Sequence, residues 1–283
     1  MSSRSTLGSI VRHSDVVDYV AHFRREVEDF ETAARTVGDG DAPIVPSCPD
    51  WTMTDLVAHL GGVHRGIIHI VRGGLRDEPD WTDLGMLELP AGGEDWPMSL
   101  ENTPTHGPLP DGMVDWFADG ASTLAELFAG HDPAEPAWTW SPDQSVGFWR
   151  RMQCIEAAVH RWDAENAIGI PSPIDTELAS DAVRQTFEVM APYRRALLQA
   201  APGQGEQYGF RPTDSAGAWT VRFDGDTVRL DNAPATGSND VEFVGAASDL
   251  ALFLWGRLPA DRLADVRGNR DAVDRYFTLV PRL

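Results

Sequence analysis

One stretch limits the possible folds more than any other: Gln153-Cys154-Ile155-Glu156-Ala157-Ala158-Val159-His160-Arg161-Trp162-Asp163. It has no Gly, no Pro and little β-branching, so the segment is expected to be helical. Glu156 and His160 stand four apart, so both side chains leave one face with their Cβ atoms about 6 Å from each other. A carboxylate and an imidazole held in this way can grip two positions on one metal ion. An isolated pair of this kind is ordinarily a surface contact, so a metal site needs a third ligand from another helix. The candidate is His59, in Asp55-Leu56-Val57-Ala58-His59-Leu60-Gly61-Gly62.

Helical periodicity dominates the first 200 residues. Val16, Val17, Val20, Phe23, Val27, Phe30 and Ala34 form an apolar stripe between Ser14 and Val37, ended by Gly38 and Gly40, and a Pro-containing loop follows through Pro49. Thr52 with Asp55 three residues on reads as a capping-box start for a second helix, which should run to about Arg72 before Gly73-Gly74. His64 and His69, on that helix, point about 140° and 80° away from His59 and are not expected as co-ligands. Residues 75 to 111 are rich in Gly, Pro and acidic residues and hold Trp81 and Trp96. So long a loop is expected to wall or cover a pocket, the alternative being a plain surface excursion. A third helix is expected over Met113–Ala129, a second aromatic loop with Trp138 and Trp140 after it, and a fourth helix over about Gly147–Ile168. Pro171 and Pro173 break the chain, and Pro192 should kink or briefly interrupt a fifth helix spanning Thr176–Ala200.

After Ala201 the period changes from helical to two. Pro202-Gly203-Gln204-Gly205 reads as a linker. Trp219–Phe223 and Thr227–Leu230 flank Asp224-Gly225-Asp226 as a hairpin, and Val241–Val244 forms a third strand. A helix over Ser248–Trp255, a short strand at Val266–Gly268 and a last helix over Asp271–Leu279 complete the pattern. The expectation is a mainly α chain: a four-helix bundle over residues 1–201, then a small α+β domain over residues 202–283.

Bundle cores are where facing helices assemble metal sites. His59, Glu156 and His160 would leave coordination positions open, as catalytic rather than structural sites do. The same ligands suit non-haem iron, so they do not fix the metal. Asp163 lies near the same helix face and can orient a ligand or hydrogen-bond within the core. Cys154 points away from Glu156 and reads as core packing, and Cys48 is left open. Arg257, ahead of Leu258-Pro259, suits a helix C-terminus through its charge and is also the candidate to bind a substrate carboxylate.

The remaining chemistry is mostly exclusion. The chain has no G-x-S-x-G, P-loop, G-x-G-x-x-G or C-x-x-C. With a net charge of −21 and arginine as its only strong base, it is a poor partner for nucleic acid or anionic membrane. Two cysteines make no disulfide framework, and no apolar run reaches the length of a signal or a span, so a cytoplasmic protein is expected.

Pro46-Ser47-Cys48-Pro49-Asp50-Trp51-Thr52, then Asp55–His64, then Glu156–Asp163, with Ser248–Leu250 and Gly256–Arg270 near the end, resemble the mycothiol-dependent maleylpyruvate isomerase family. The resemblance implies a DinB-like metal-binding bundle with the family's C-terminal domain. It further implies Zn²⁺ on His59, Glu156 and His160, with Fe²⁺ or another divalent metal as alternatives, and mycothiol as cosubstrate. Some members isomerise a cis double bond and others transfer the thiol to electrophiles. The partners implied are therefore a thiol and a small electrophile, for a monomer or homodimer. The long aromatic loop departs from a minimal member and suits a bulkier substrate. A non-catalytic metal-binding bundle is the reading from another class.

Overall fold

The computed structural model describes residues 17–99 and 103–282. Four helices form a bundle: α1 (Tyr19–Arg35), α2 (Met53–Gly73), α3 (Met113–Gly130) and α4 (Val146–Ala167). α1 packs on α3 and α4, and α2 packs on the same two from the other side. Of the expected stripe of α1, Phe23, Val27, Phe30 and Ala34 are buried, joined by Ala33. Ser14 and Val16, read as the start of that stripe, lie outside the described residues. The start of α2 is a true capping box, with Thr52 and Asp55 bonded reciprocally, and Gly74 ends it in the left-handed conformation at φ 59°.

Two departures precede the bundle's second half. The stretch read as a loop before α2 contains an antiparallel ribbon, β1 (Ile44–Val45) with β2 (Cys48–Thr52), which carries Trp51 to the head of α2. The segment 75–111 folds back on the bundle. Trp96 meets Trp116 edge to face, and the Thr105 amide donates to the Asp55 carboxylate at 2.9 Å. The expected fifth helix is two helices, α5 (Thr176–Gln185) and α6 (Ala191–Leu197), separated by a π-turn over Thr186–Met190. Pro192 is the second residue of α6, directly after the π-turn, whose last bond runs from the Ala191 amide to the Thr186 carbonyl.

The rest is a five-stranded sheet with two helices. Its order is β5 (Thr227–Asp231), β4 (Trp219–Gly225), β3 (Gly203–Pro212), β6 (Val241–Gly245) and β7 (Asp265–Gly268). The β3–β6 pair is parallel and the others antiparallel. The linker reading of Gly203–Gly205 is corrected, because these residues open the central strand. α7 (Ala247–Leu254) and α8 (Arg270–Leu279) close the core around Tyr208, Phe210, Phe243, Phe253 and Tyr276. The whole is thus mainly α, a bundle followed by a small α+β part. α5 packs on α7, and the Ile174 amide donates to Ser248 Oγ at 2.9 Å across the seam. No helix among the described residues is long and apolar enough to cross a membrane.

Candidate metal centre

α2 and α4 bring the three sequence candidates together. One ligand atom each from His59, Glu156 and His160 lies within 4.8 Å of the others, and His59 Nε2 is 3.3 Å from Glu156 Oε1. Spacing explains the arrangement. Glu156 and His160 share the face of α4 that looks at the second turn of α2, where the capping box has set the rotation of His59.

Two of the three ligands are held from behind. Gln153 Nε2 donates to Glu156 Oε2 at 2.7 Å, which leaves Oε1 facing His59. Asp163 Oδ2 lies 3.0 Å from His160 Nδ1. Burial alone would raise the Asp163 carboxyl, but the Arg257 charge and the hydrogen bond with His160 hold it down to about 2. An ionised carboxylate only accepts, so His160 Nδ1 carries the ring proton and Nε2 keeps its lone pair for an ion. Burial also lowers His160 below the usual imidazole range, which keeps the ring neutral. Glu156 behaves like Asp163: burial opposes ionisation, yet the His59 hydrogen bond and the two imidazoles bring it to about 2. Trp51 covers both rings, with its centroid 4.9 Å from His59 and 6.1 Å from His160.

Asp163 is therefore an orienting group, as one of its two readings required. Three side chains converge on it: His160, Ser47 Oγ at 2.6 Å, and Arg257 through Nε and Nη2 at 2.9–3.2 Å. Arg257 also gives Nη1 to the Trp255 carbonyl at 2.9 Å. The structure thus ties the expected anion clamp to Asp163 first, and two of its five N–H bonds have no protein acceptor among the described residues. Gln153 and Ser47 were not singled out as site residues. Gln153 sits one turn before Glu156, so a helical reading of that stretch could have found it. Ser47 is 116 positions from Asp163 and left no such signal. Cys154 is fully buried in the core, as read, and burial raises both its thiol and that of the half-buried Cys48.

The donor set fits a divalent ion with open positions: two imidazoles, one ionised carboxylate and no fourth ligand in the cluster. A second cluster, His22, Asp175 and Glu177, fits less well. Arg25 Nη2 lies 2.6 Å from His22 Nδ1, and a guanidinium only donates, so the neutral ring carries its proton on Nε2 and has no lone pair there.

The sequence matches the model of the mycothiol maleylpyruvate isomerase N-terminal domain over residues 23–165, half of the chain. This chain belongs to the mycothiol-dependent maleylpyruvate isomerase family. Two solved structures of mycothiol-dependent maleylpyruvate isomerase share its fold. One superposes with a TM-score of 0.55 at 13% identity, covering 87% of this chain and 90% of that one. The other, a histidine-to-alanine mutant, gives 0.53 at 12% identity with the same coverage. No curated protein matches the sequence. Within the family's matched span lie all three candidate ligands, whereas Arg257 lies outside it.

Proposed function

We propose that this chain is a mycothiol-dependent isomerase of a conjugated, electrophilic alkene, with zinc held by His59, Glu156 and His160. The observation that carries this reading is the convergence of the three donors, two of them braced by a second hydrogen bond, on one open-sided site. A zinc ion bound there would supply a deprotonated thiol at neutral pH. Addition of the thiol to the alkene makes the former double bond single and free to rotate. Departure of the thiol then restores the alkene in the other geometry.

The chain's own residues do the positioning. Asp163 fixes the tautomer of His160, Gln153 fixes the carboxylate of Glu156, and Trp51 excludes water from one side of both rings. Arg257 holds Asp163 and offers its two remaining N–H bonds to an anionic group of the substrate. The length and aromatic content of the segment over residues 75–111, which packs Trp81 against Trp138, support a larger electrophile. On such a substrate the same site would act as an S-transferase.

Elemental analysis of wild type and His160→Ala tests the site, coupled to incubation with mycothiol and a conjugated cis-alkene. The expected result is about one zinc per chain, lost in the variant, with a changed alkene spectrum and no net loss of thiol. Net consumption of thiol would establish S-transfer instead, and iron in place of zinc would redirect the chemistry. Equal metal in both proteins would overturn the ligand assignment.

A further inference from the structure

Among the described residues four arginines are buried: Arg65, Arg161, Arg194 and Arg195. Three of them have acceptors. Arg65 pairs with Glu88 and Asp119, Arg161 with Glu26 and Glu165, and Arg195 gives its donors to the carbonyls of Leu279, Ala201 and Gly225. Arg194 on α6 makes no hydrogen bond or ion pair with the described residues, although only 6% of its surface is accessible. Its contact is with an aromatic ring, the guanidinium carbon lying 5.7 Å from the centroid of Trp255. In a chain with 44 acidic residues, a buried cation without a carboxylate is anomalous.

The neighbours repeat the pattern. Trp255 and Tyr276 are 8% and 1% accessible, and Trp255 Nε1 and the Tyr276 hydroxyl are sealed from solvent with no hydrogen-bond partner, as is Arg194 Nε. Burial lowers Arg194 from its ordinary value, with Tyr276 opposing and Arg257 adding to the effect, and no carboxylate contributes. Burial raises the Tyr276 phenol, which keeps it protonated as a donor. The indole N–H can only donate, and the guanidinium can only donate. Buried polar groups in native proteins are hydrogen-bonded, and the phenol oxygen, the one acceptor among the three, bonds neither neighbour, so the donors call for an acceptor.

We propose that Arg194, Trp255 and Tyr276 form a buried carboxylate-binding site at the seam of α6, α7 and α8. One fixed positive charge with two neutral donors matches a monoanion. A phosphate would bring nearly two charges and leave one of them buried and unbalanced. A carboxylate accepts the guanidinium fork in two parallel bonds and keeps lone pairs for the indole and the phenol. The ligand is a small monocarboxylate or the carboxylate end of a longer molecule whose body lies against the aromatic rings. The site does not depend on the metal reading. Its links toward the metal centre are the Trp255 carbonyl, which accepts from Arg257, and the like charge of Arg257 felt by Arg194.

Calorimetric titration and thermal melts with acetate and with succinate, at ionic strength held constant with chloride, test this. Inorganic phosphate serves as the comparison anion, and the same series is run on His160→Ala. Both carboxylates are expected to bind and raise Tm in wild type and in His160→Ala, and phosphate is not. Arg194→Met should weaken binding at least about tenfold, the loss of one charge-assisted contact. Without carboxylate it should melt higher than wild type, because it removes an unpaired buried charge. Trp255→Phe should weaken binding several-fold, and it carries the test if Arg194→Met does not fold. Equal responses in wild type and Arg194→Met, preference for phosphate, no binding, or a response abolished by His160→Ala alone would each overturn the proposal.

Discussion

His64 illustrates how a single buried group shapes stability. Its ring lies between Phe23 and Phe117, with centroids at 5.3 and 5.6 Å, and neither nitrogen has a hydrogen-bond partner. Burial pushes it from 6.5 down to about 3, so the folded protein refuses a proton that the unfolded chain accepts. The unfolded state therefore binds more protons between those values. The contribution is intact above pH 6.5 and is lost progressively as pH falls toward 3. His64→Phe should raise stability at pH 7 by about 1 kcal/mol, by removing unsatisfied nitrogens. At pH 5 the advantage should grow by about 2 kcal/mol, measured by urea unfolding at both values. Parallel pH slopes for the two proteins would show that His64 is not the titrating group. Spacing had separated His64 from His59 as a non-ligand, and the metal candidates themselves were legible because i,i+4 geometry is local. Gln153, Ser47 and the Asp163–Arg257 pair were not so legible in their roles. Ser47 and Arg257 reach Asp163 through tertiary contacts that no local period encodes.

At the scale of elements, α2 shows where sequence patterns inform and where they mislead. Its start was legible because a capping box is a four-residue device, but Gly61-Gly62 in its middle reads only as weak helix. The two glycines differ. A Cβ on Gly61 would lie 2.3 Å from Cζ3 of Trp116, whose indole N–H is anchored on the Leu87 carbonyl at 2.9 Å. A Cβ on Gly62 would meet only Leu87 and Met98 at 3.8 and 3.9 Å, ordinary contact. Gly62→Ala should therefore stabilise by up to about 1 kcal/mol through helix propensity. Gly61→Ala should instead destabilise by about 1–3 kcal/mol, because the anchored indole cannot yield without disturbing α3. Chemical denaturation of the two variants separates these outcomes, and a common sign would remove close packing as the reason for Gly61. The strand β3 escaped the sequence reading for a related reason. Its first half is polar and glycine-rich, Tyr208, Phe210 and Pro212 alternate into the core only in its second half, and its central place comes from pairing on both sides. An interruption of this helix near Pro192 was legible, though its form, a π-turn over Thr186–Met190, has no signal in the residues themselves.

Across the whole molecule, the change of period after Ala201 made the helical and sheet-bearing parts readable, but their attachment was not. The seam rests on α5 against α7, Ile174 on Ser248, and Arg257 on Asp163 across 94 positions. The last contact places a residue of the second part directly behind a candidate ligand of the first. If the boundary proposed at residues 201/202 divides two independent folding units, metal should stabilise only the bundle. If the Asp163–Arg257 pair couples them, metal should stabilise both together, because breaking that pair leaves a buried carboxylate uncompensated. The coupled outcome is expected: one calorimetric transition that moves upward as a whole with zinc. At free zinc a hundred times its dissociation constant, the gain is about 2.7 kcal/mol. A chelator should reverse the shift in wild type and leave His160→Ala unmoved. A zinc-dependent shift confined to part of the heat would show that the sheet unfolds on its own, and that Arg257 meets Asp163 without binding the two parts into one cooperative unit.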